Sequence, residues 1–157
     1  MTDKEYTLCI RQHQQGVLQF AIRTCGDREL SKDVVQEALA SMWEHRLAVE
    51  AEKGKSYLLS TVFRRINDHW RRKYPQGEIE EVTLPNEDFD LKEAIEMALG
   101  TLPTIQRSIL QLKDVDGYSY KEIAEILSIS DQQVCVYLYR ARVALKKKLI
   151  EYGYNDR

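Results

Sequence analysis

Hydrophobic residues recur at intervals of three and four along the N-terminal half of the chain, which predicts amphipathic α-helices. Three apolar stripes follow one another, and Gly26 after the first and Pro75 after the third are typical stop signals. The stripes are Leu18, Ala21, Ile22 and Cys25, then Leu30, Val34, Ala38 and Met42, then Tyr57, Leu59, Val62, Phe63, Ile66 and Trp70. We expect these helices to bury one small core, with Phe63 and Trp70 packed inside it rather than stacked on bases.

The C-terminal half shows the same helical period with clear start signals. Three pairs have the spacing of a capping box, in which a side chain satisfies free N–H groups at a helix start. They are Asp90 with Glu93, Ser119 with Glu122, and Ser130 with Gln133. We find no strand alternation long enough to predict a sheet, so the predicted fold is all-α.

The stretch between these halves has no sustained apolar period. Residues 75–89 contain Pro75, Gly77, Pro85 and many acids, which indicates an extended, flexible linker. We therefore predict two small helical domains, at residues 8–74 and 90–152, held apart by an acidic linker at residues 75–89.

The spacing of the last two predicted helices matches a helix-turn-helix. A short helix from Tyr120 to Leu127 is followed by three residues and then by a longer helix whose N-terminal side chains face outward. Gln132 and Gln133 could read base edges, and Arg140 could contact phosphates. A plain helical hairpin with a solvated basic end is the alternative.

Charge is distributed in three blocks, although the formal net charge is only −2. Residues 53–73 are mainly basic, residues 78–93 mainly acidic, and all charges in residues 140–148 are positive. The two basic blocks suit DNA phosphates, and the acidic block would be repelled by them.

Other kinds of function find little support in the sequence. No glycine-rich phosphate loop and no nucleophile–base pattern is present, so we predict no catalytic residues and no cofactor. Cys9 and His13 could share a helical face, but two such ligands favour incidental thiols over a zinc site, and we predict no metal. The absence of a signal peptide and of a long apolar run predicts a cytoplasmic protein without membrane insertion.

Two sets of residues resemble extracytoplasmic-function sigma factors of RNA polymerase. Leu102-Pro103, the run from Asp114 to Leu127, and the run from Arg140 to Leu145 are similar to sigma region 4. Gly26 to Glu29 and Asp33 to Ala38 resemble sigma region 2. Together the two motifs span about residues 10–150, in the family's order.

The resemblance implies a sigma factor that binds core RNA polymerase, at the clamp of the largest subunit and at the flap, and directs it to promoter DNA. It also implies that the acidic linker threads the nucleic-acid channel of the polymerase, and the alternative is a solvated flexible tether. The implied polymerase-binding residues are Asp33, Gln36 and Glu37. The implied −10 residues are Arg64, Arg65, Asn67, Asp68, Arg71, Arg72 and Lys73. The implied −35 residues are Ser119, Lys121, Ser130, Asp131, Gln132, Gln133, Cys135, Val136, Arg140 and Arg142. The sequence does not decide whether an anti-sigma protein is a further partner.

The chain departs from the family's pattern in the recognition helix. Cys135, Val136 and Tyr137 stand where Lys, Ser and Arg are frequent, and Arg64 stands where Asn is frequent. These changes put −35 recognition in question. They leave two alternatives: a degenerate sigma-like protein that binds polymerase without opening promoters, and a non-sigma helix-turn-helix regulator.

Overall fold

The computed structural model describes residues 1–73 and 90–154, and within these ranges it contains α-helices and no strand. The all-α prediction is confirmed. The predicted linker at residues 75–89 lies outside the described residues. The described ranges contain seven α-helices: α1 (Asp3–Cys25), α2 (Arg28–Glu44), α3 (Gly54–Lys73), α4 (Leu91–Gly100), α5 (Thr104–Leu110), α6 (Tyr120–Leu127) and α7 (Asp131–Glu151). A 3₁₀ turn (Ala51–Lys53) precedes α3, and a π-helical segment (Gln111–Val115) extends α5.

Helix α1 starts earlier than the predicted domain boundary at residue 8. The Thr2 hydroxyl accepts a hydrogen bond from the Glu5 N–H at 3.2 Å and caps the helix at Asp3. The added turn is used in packing, because the Tyr6 hydroxyl donates to the Leu39 carbonyl at 2.8 Å. The predicted end of the helix at Gly26 is confirmed. The backbone of this glycine is in the left-handed conformation, with φ of 74°, which is unfavourable in free energy for residues with a Cβ atom.

Helices α1, α2 and α3 form an N-terminal unit around one core. Its largest fully buried side chains are Val17, Phe20, Met42, Leu58, Leu59, Val62 and Ile66. Phe63 belongs to this core, as predicted, and Trp70 packs against its edge. Burial of these apolar side chains away from water is the main driving force for the folding of this unit.

Helices α4 to α7 form a C-terminal unit, and its helix starts are those predicted. Asp90 accepts from the Glu93 N–H at 2.9 Å, and Ser119 accepts from the Glu122 N–H at 3.2 Å. At α7 the capping box is reciprocal, since Ser130 and Gln133 each accept from the backbone N–H of the other. The core of the unit contains Ile109, Leu112, Ile123, Ile126, Val134 and Leu138.

The two units are in contact, which differs from the expectation that the linker holds them apart. Their buried apolar residues form one continuous cluster, with α5 and α6 packed against α1 and α3. The Arg107 guanidinium of α5 lies 5.7 Å from the centre of the Trp70 ring, and burial lowers the pKa of Arg107. The reason is that the apolar residues of α5 and α6 serve both the core of their own unit and the contact with α1 and α3.

Candidate nucleic-acid interface

The three predicted polymerase-binding residues lie on one exposed face of α2. Asp33, Gln36 and Glu37 are all exposed, while Val34 and Val35 between them are buried. Helical geometry explains this division, because residues three and four apart share a face. The structure therefore brings the predicted residues together on one accessible surface.

The predicted −10 residues lie on α3, and those that precede Lys73 lie away from its buried stripe. Arg64, Arg65, Asp68, Arg71 and Arg72 are exposed, Asn67 is half-buried, and Lys73 is the last residue of the helix. Arg65 Nε lies 3.5 Å from Glu37 Oε2. This ion pair makes the basic face of α3 continuous with the predicted polymerase-binding face of α2.

A cleft of about 420 Å³ opens beside the N-terminal half of α3. It lies between this helix and the loop after α2, and Tyr57 forms part of its wall, with its hydroxyl 2.7 Å from Ser41 Oγ. The polar lining residues are Glu50, Lys53, Ser56, Tyr57, Ser60, Arg64 and Glu125. The sequence prediction missed this cleft apart from Arg64. The spacing of Ser56, Ser60 and Arg64, four residues apart, was the signal that could have found it.

The C-terminal helix pair has the geometry of a helix-turn-helix. Helix α6 ends at Leu127, and its C-cap residue Ser128 has the left-handed backbone conformation, with φ of 57°. The chain then turns directly into the capped start of α7. Val134, Leu138 and Ala141 bury the inner face of α7. All ten predicted −35 residues have exposed positions on α6, on α7 or at their N-terminal caps.

The comparisons with known proteins agree with both halves of this arrangement. Residues 9–75 match the family model for sigma-70 region 2, and residues 92–145 match the model for sigma-70 region 4. The chain is an extracytoplasmic-function sigma factor of the sigma-70 family. The N-terminal unit is thus region 2 and the C-terminal unit is region 4, and the family acts in promoter recognition at transcription initiation.

Curated relatives of this sigma factor extend over nearly the whole chain. The ECF RNA polymerase sigma factor SigM of Bacillus subtilis is 25% identical over 156 residues, which cover 93% of this chain and 95% of SigM. The RNA polymerase sigma factor YlaC of the same organism is 25% identical over 161 residues, covering 94% of this chain and 93% of YlaC.

Solved structures share the fold of this sigma factor. The sigma factor RpoE, in complex with the anti-sigma factor NepR from Bartonella quintana, gives a TM-score of 0.75 at 22% identity, covering 94% of this chain and 98% of RpoE. CnrH, in complex with the cytosolic domain of CnrY, gives 0.71 at 21% identity, covering 96% of this chain and 90% of CnrH.

Four of the predicted −35 residues in the sigma factor already have intramolecular partners: the hydroxyls of Ser119 and Ser130 cap α6 and α7, and Arg142 and Gln133 form the contacts that follow. Arg142 forms an ion pair with Asp114, with Nη2 at 2.6 Å from Oδ1 and Nε at 3.2 Å from Oδ2. This hydrogen bonding raises the pKa of Arg142. Gln133 uses its side-chain oxygen in the capping box at Ser130. Of the two glutamines, Gln132 is thus the better placed to read a base, and a phosphate role for Arg142 stays a prediction.

Region 4 also carries an apolar groove that sequence reasoning did not locate. The groove has a volume of about 360 Å³ and runs between α4, α5 and the C-terminal part of α7. Its apolar lining residues are Leu91, Leu110, Leu145, Leu149 and Ile150. Leu91 and Ile150 are about half exposed, so the groove is accessible from outside.

In residues 1–73 and 90–154, no group of three or more His, Cys, Asp and Glu side chains is placed to hold a metal ion. No helix within the same ranges combines the length and the apolar character needed to cross a bilayer. Cys9 is buried and His13 half-buried on α1.

Proposed function

We propose that this sigma factor docks on the polymerase clamp through Asp33, Gln36 and Glu37, and that its two regions then contact one promoter at two places. The observation that carries the proposal is the Glu37–Arg65 ion pair, because it joins the docking face of α2 to the basic face of α3. A protein seated on the clamp by α2 would present Arg65, Arg71 and Arg72 beside it. The chain would act in the cytoplasm, where core polymerase is found.

Region 2 is proposed to hold the −10 element. The arginines of α3 suit phosphates, and Asn67 and Asp68 provide hydrogen-bonding groups for an exposed base edge. The cleft beside Tyr57 falls within the volume range of small-ligand sites, about 300–1,000 Å³. An aromatic wall and polar side chains are what an unpaired base needs to offset its lost stacking.

Region 4 is proposed to bind the −35 element with α7 in the major groove. The capped N-terminus of α7 offers backbone N–H groups to a phosphate, and Lys121 and Arg140 add positive charge nearby. The apolar groove along α4 and α7 lies apart from these residues. We assign it to the polymerase flap, because its lining is mainly apolar, with Asp114, Arg142 and Lys146 beside the Leu and Ile side chains, and it leaves the start of α7 accessible to DNA.

Contact between the regions is proposed to be released when the sigma factor binds polymerase. Glu125 of region 4 lines the cleft of region 2, and a carboxylate there opposes an incoming DNA strand. Once separated, the regions would be joined by residues 75–89, which can span up to roughly 50 Å. Two weak DNA contacts on one polymerase then act multivalently.

An anti-sigma partner is a separate proposal. It is supported by the likeness in fold to RpoE, whose solved structure contains the anti-sigma factor NepR. Binding of such a protein would compete with polymerase for the sigma factor.

Run-off transcription tests the proposed function. Core polymerase is incubated with the DNA upstream of this protein's own gene, with and without the purified chain, and specific transcripts are expected only with it. Core binding without transcripts would favour the degenerate sigma-like alternative, which the unusual residues Cys135 and Val136 keep open. DNA binding without any core binding would favour a non-sigma regulator.

A further inference from the structure

The outward face of α7 carries three large apolar side chains together with the exposed basic residues Arg140 and Lys147. Val136, Tyr139 and Val143 are 46%, 72% and 49% exposed, which is unusual for large hydrophobic residues. They follow one another at spacings of three and four residues and therefore share one helical face. That face is opposite to the buried stripe of Val134, Leu138 and Ala141.

This apolar face is continuous with the residues already placed at the start of the recognition helix. Gln132, Cys135, Val136 and Tyr139 occupy positions i, i+3, i+4 and i+7. Base-contacting residues of the homeodomain recognition helix have the same spacing. Tyr139 thus joins Gln132, Cys135 and Val136 as a candidate base-contacting residue, although it was not among the −35 residues predicted from the sequence. Val143 lies a further turn toward the C-terminus, beyond the N-terminal part that reaches base edges in such motifs.

The chemistry of the face limits what it can recognise in a major groove. From residue 132 to residue 139 the helix carries no charged side chain. Guanine is most often read by Arg or Lys, and the nearest such side chain on this face is Arg140, one turn after Val136, which we place on a phosphate. The thymine C5-methyl is the apolar group that base pairs present in the major groove, and an aliphatic or aromatic side chain contacts it favourably.

We propose that Val136 and Tyr139 read thymine methyl groups in the −35 element and thereby set the promoter specificity of this sigma factor. The proposal rests on the proposed role of α7 as the −35 helix. Burying a methyl group contributes most of the discrimination, while Lys121 and Arg140 supply sequence-independent attraction to phosphates. Gln132 adds a hydrogen-bonding group at the first position of the set.

Deoxyuridine substitution provides the test, because it removes the methyl group and leaves the hydrogen-bonding edge unchanged. The polymerase holoenzyme first selects binding sites from promoters with a randomised −35 element. Each selected thymine is then replaced by deoxyuridine, and holoenzyme affinity is measured. Loss of a contacted methyl should weaken binding by about three- to fivefold. Val136→Ala or Tyr139→Ala should abolish this sensitivity at one position each.

Val143→Ala is the matched control, since it removes an apolar side chain from the same face and should keep the full deoxyuridine effect. Circular dichroism verifies that each variant folds, which is expected for exposed positions. The proposal is overturned if deoxyuridine and thymine bind equally while the holoenzyme still selects a −35 sequence. It is overturned also if the alanine variants keep the wild-type sensitivity, as they would if the face docked a protein. If the holoenzyme selects no −35 sequence at all, the proposed role of α7 as the −35 helix is wrong. The proposal for Val136 and Tyr139 is then overturned with it.

Discussion

Lys53 donates hydrogen bonds from Nζ to both carboxylate oxygens of Glu125, at 3.0 and 3.1 Å, and so joins region 2 to region 4 across 72 residues of the chain. The hydrogen bond to Glu125 raises the pKa of Lys53. Both side chains are about half exposed, and ion pairs of this kind are weak and screened by salt. The ion pair therefore adds only a small contribution to the apolar contact between the regions, and it can break when the regions separate as proposed.

Reversing the charge of Glu125 should shift the molecule toward a more open form. Glu125→Lys replaces an attraction to Lys53 by a repulsion, so we expect a larger radius of gyration in small-angle X-ray scattering. The double variant Lys53→Glu with Glu125→Lys should restore the compact form. Glu122→Lys, on the same helix, is the control. A compact single variant would show that the apolar contact alone holds the regions together.

Glu37→Lys should weaken binding to core polymerase by about tenfold or more, because it reverses a charge in the proposed docking face and breaks the pair with Arg65. Competition against a labelled sigma factor for core polymerase measures the effect. Glu44→Lys, exposed at the end of the same helix, should leave the affinity nearly unchanged. Equal effects of the two changes would point to a general loss of negative charge rather than to a docking site.

Replacing Arg71 and Arg72 by Ala should weaken promoter binding and flatten its salt dependence. For each phosphate contact that is lost, the negative slope of log K against log salt concentration becomes less steep by about one. Titrations of the holoenzyme at several salt concentrations measure the slope. Arg11→Ala removes an exposed charge from α1 and serves as the control. An unchanged slope in the double variant would argue against direct phosphate contact by these residues.

The three cysteines should differ sharply in reactivity toward a thiol reagent. Cys9 and Cys25 are buried, burial raises the pKa of the Cys9 thiol, and Cys135 is exposed on α7. One thiol should therefore react quickly in the native protein and three after unfolding. Promoter DNA bound by the holoenzyme should slow the reaction of Cys135. Reaction at the free rate in that complex would place α7 outside the groove.

Acid should destabilise region 2 through His13. Partial burial lowers the pKa of this imidazole, and the nearby charge of Lys55 lowers it further. The unfolded chain, with the ordinary value near 6.5, then binds the proton more readily than the folded chain. The free energy of unfolding should fall as pH drops below about 6.5 and level off below the lowered pKa. Urea denaturation of wild type and His13→Gln between pH 5 and 8 should show a flatter profile for the variant.

Much of the local structure could be predicted from the sequence, because helix period and capping depend on neighbours within about four residues. The cap at Ser130, the stop at Gly26 and the exposed face of Asp33, Gln36 and Glu37 are examples. The cleft at Tyr57 and the pair between Arg142 and Asp114 could not be predicted in this way. Each combines residues from segments that approach one another only after packing.

The sequence by itself determined that this protein is helical, that its charges form basic, acidic and basic blocks, and that its motifs are those of sigma regions 2 and 4. Tertiary structure alone decided that Glu125 meets Lys53, that Arg65 meets Glu37, and that Arg142 meets Asp114. The physical reason is the range of the interactions. Backbone hydrogen bonds and caps act within a turn or two of helix, whereas the meeting of distant side chains depends on how whole apolar faces pack together.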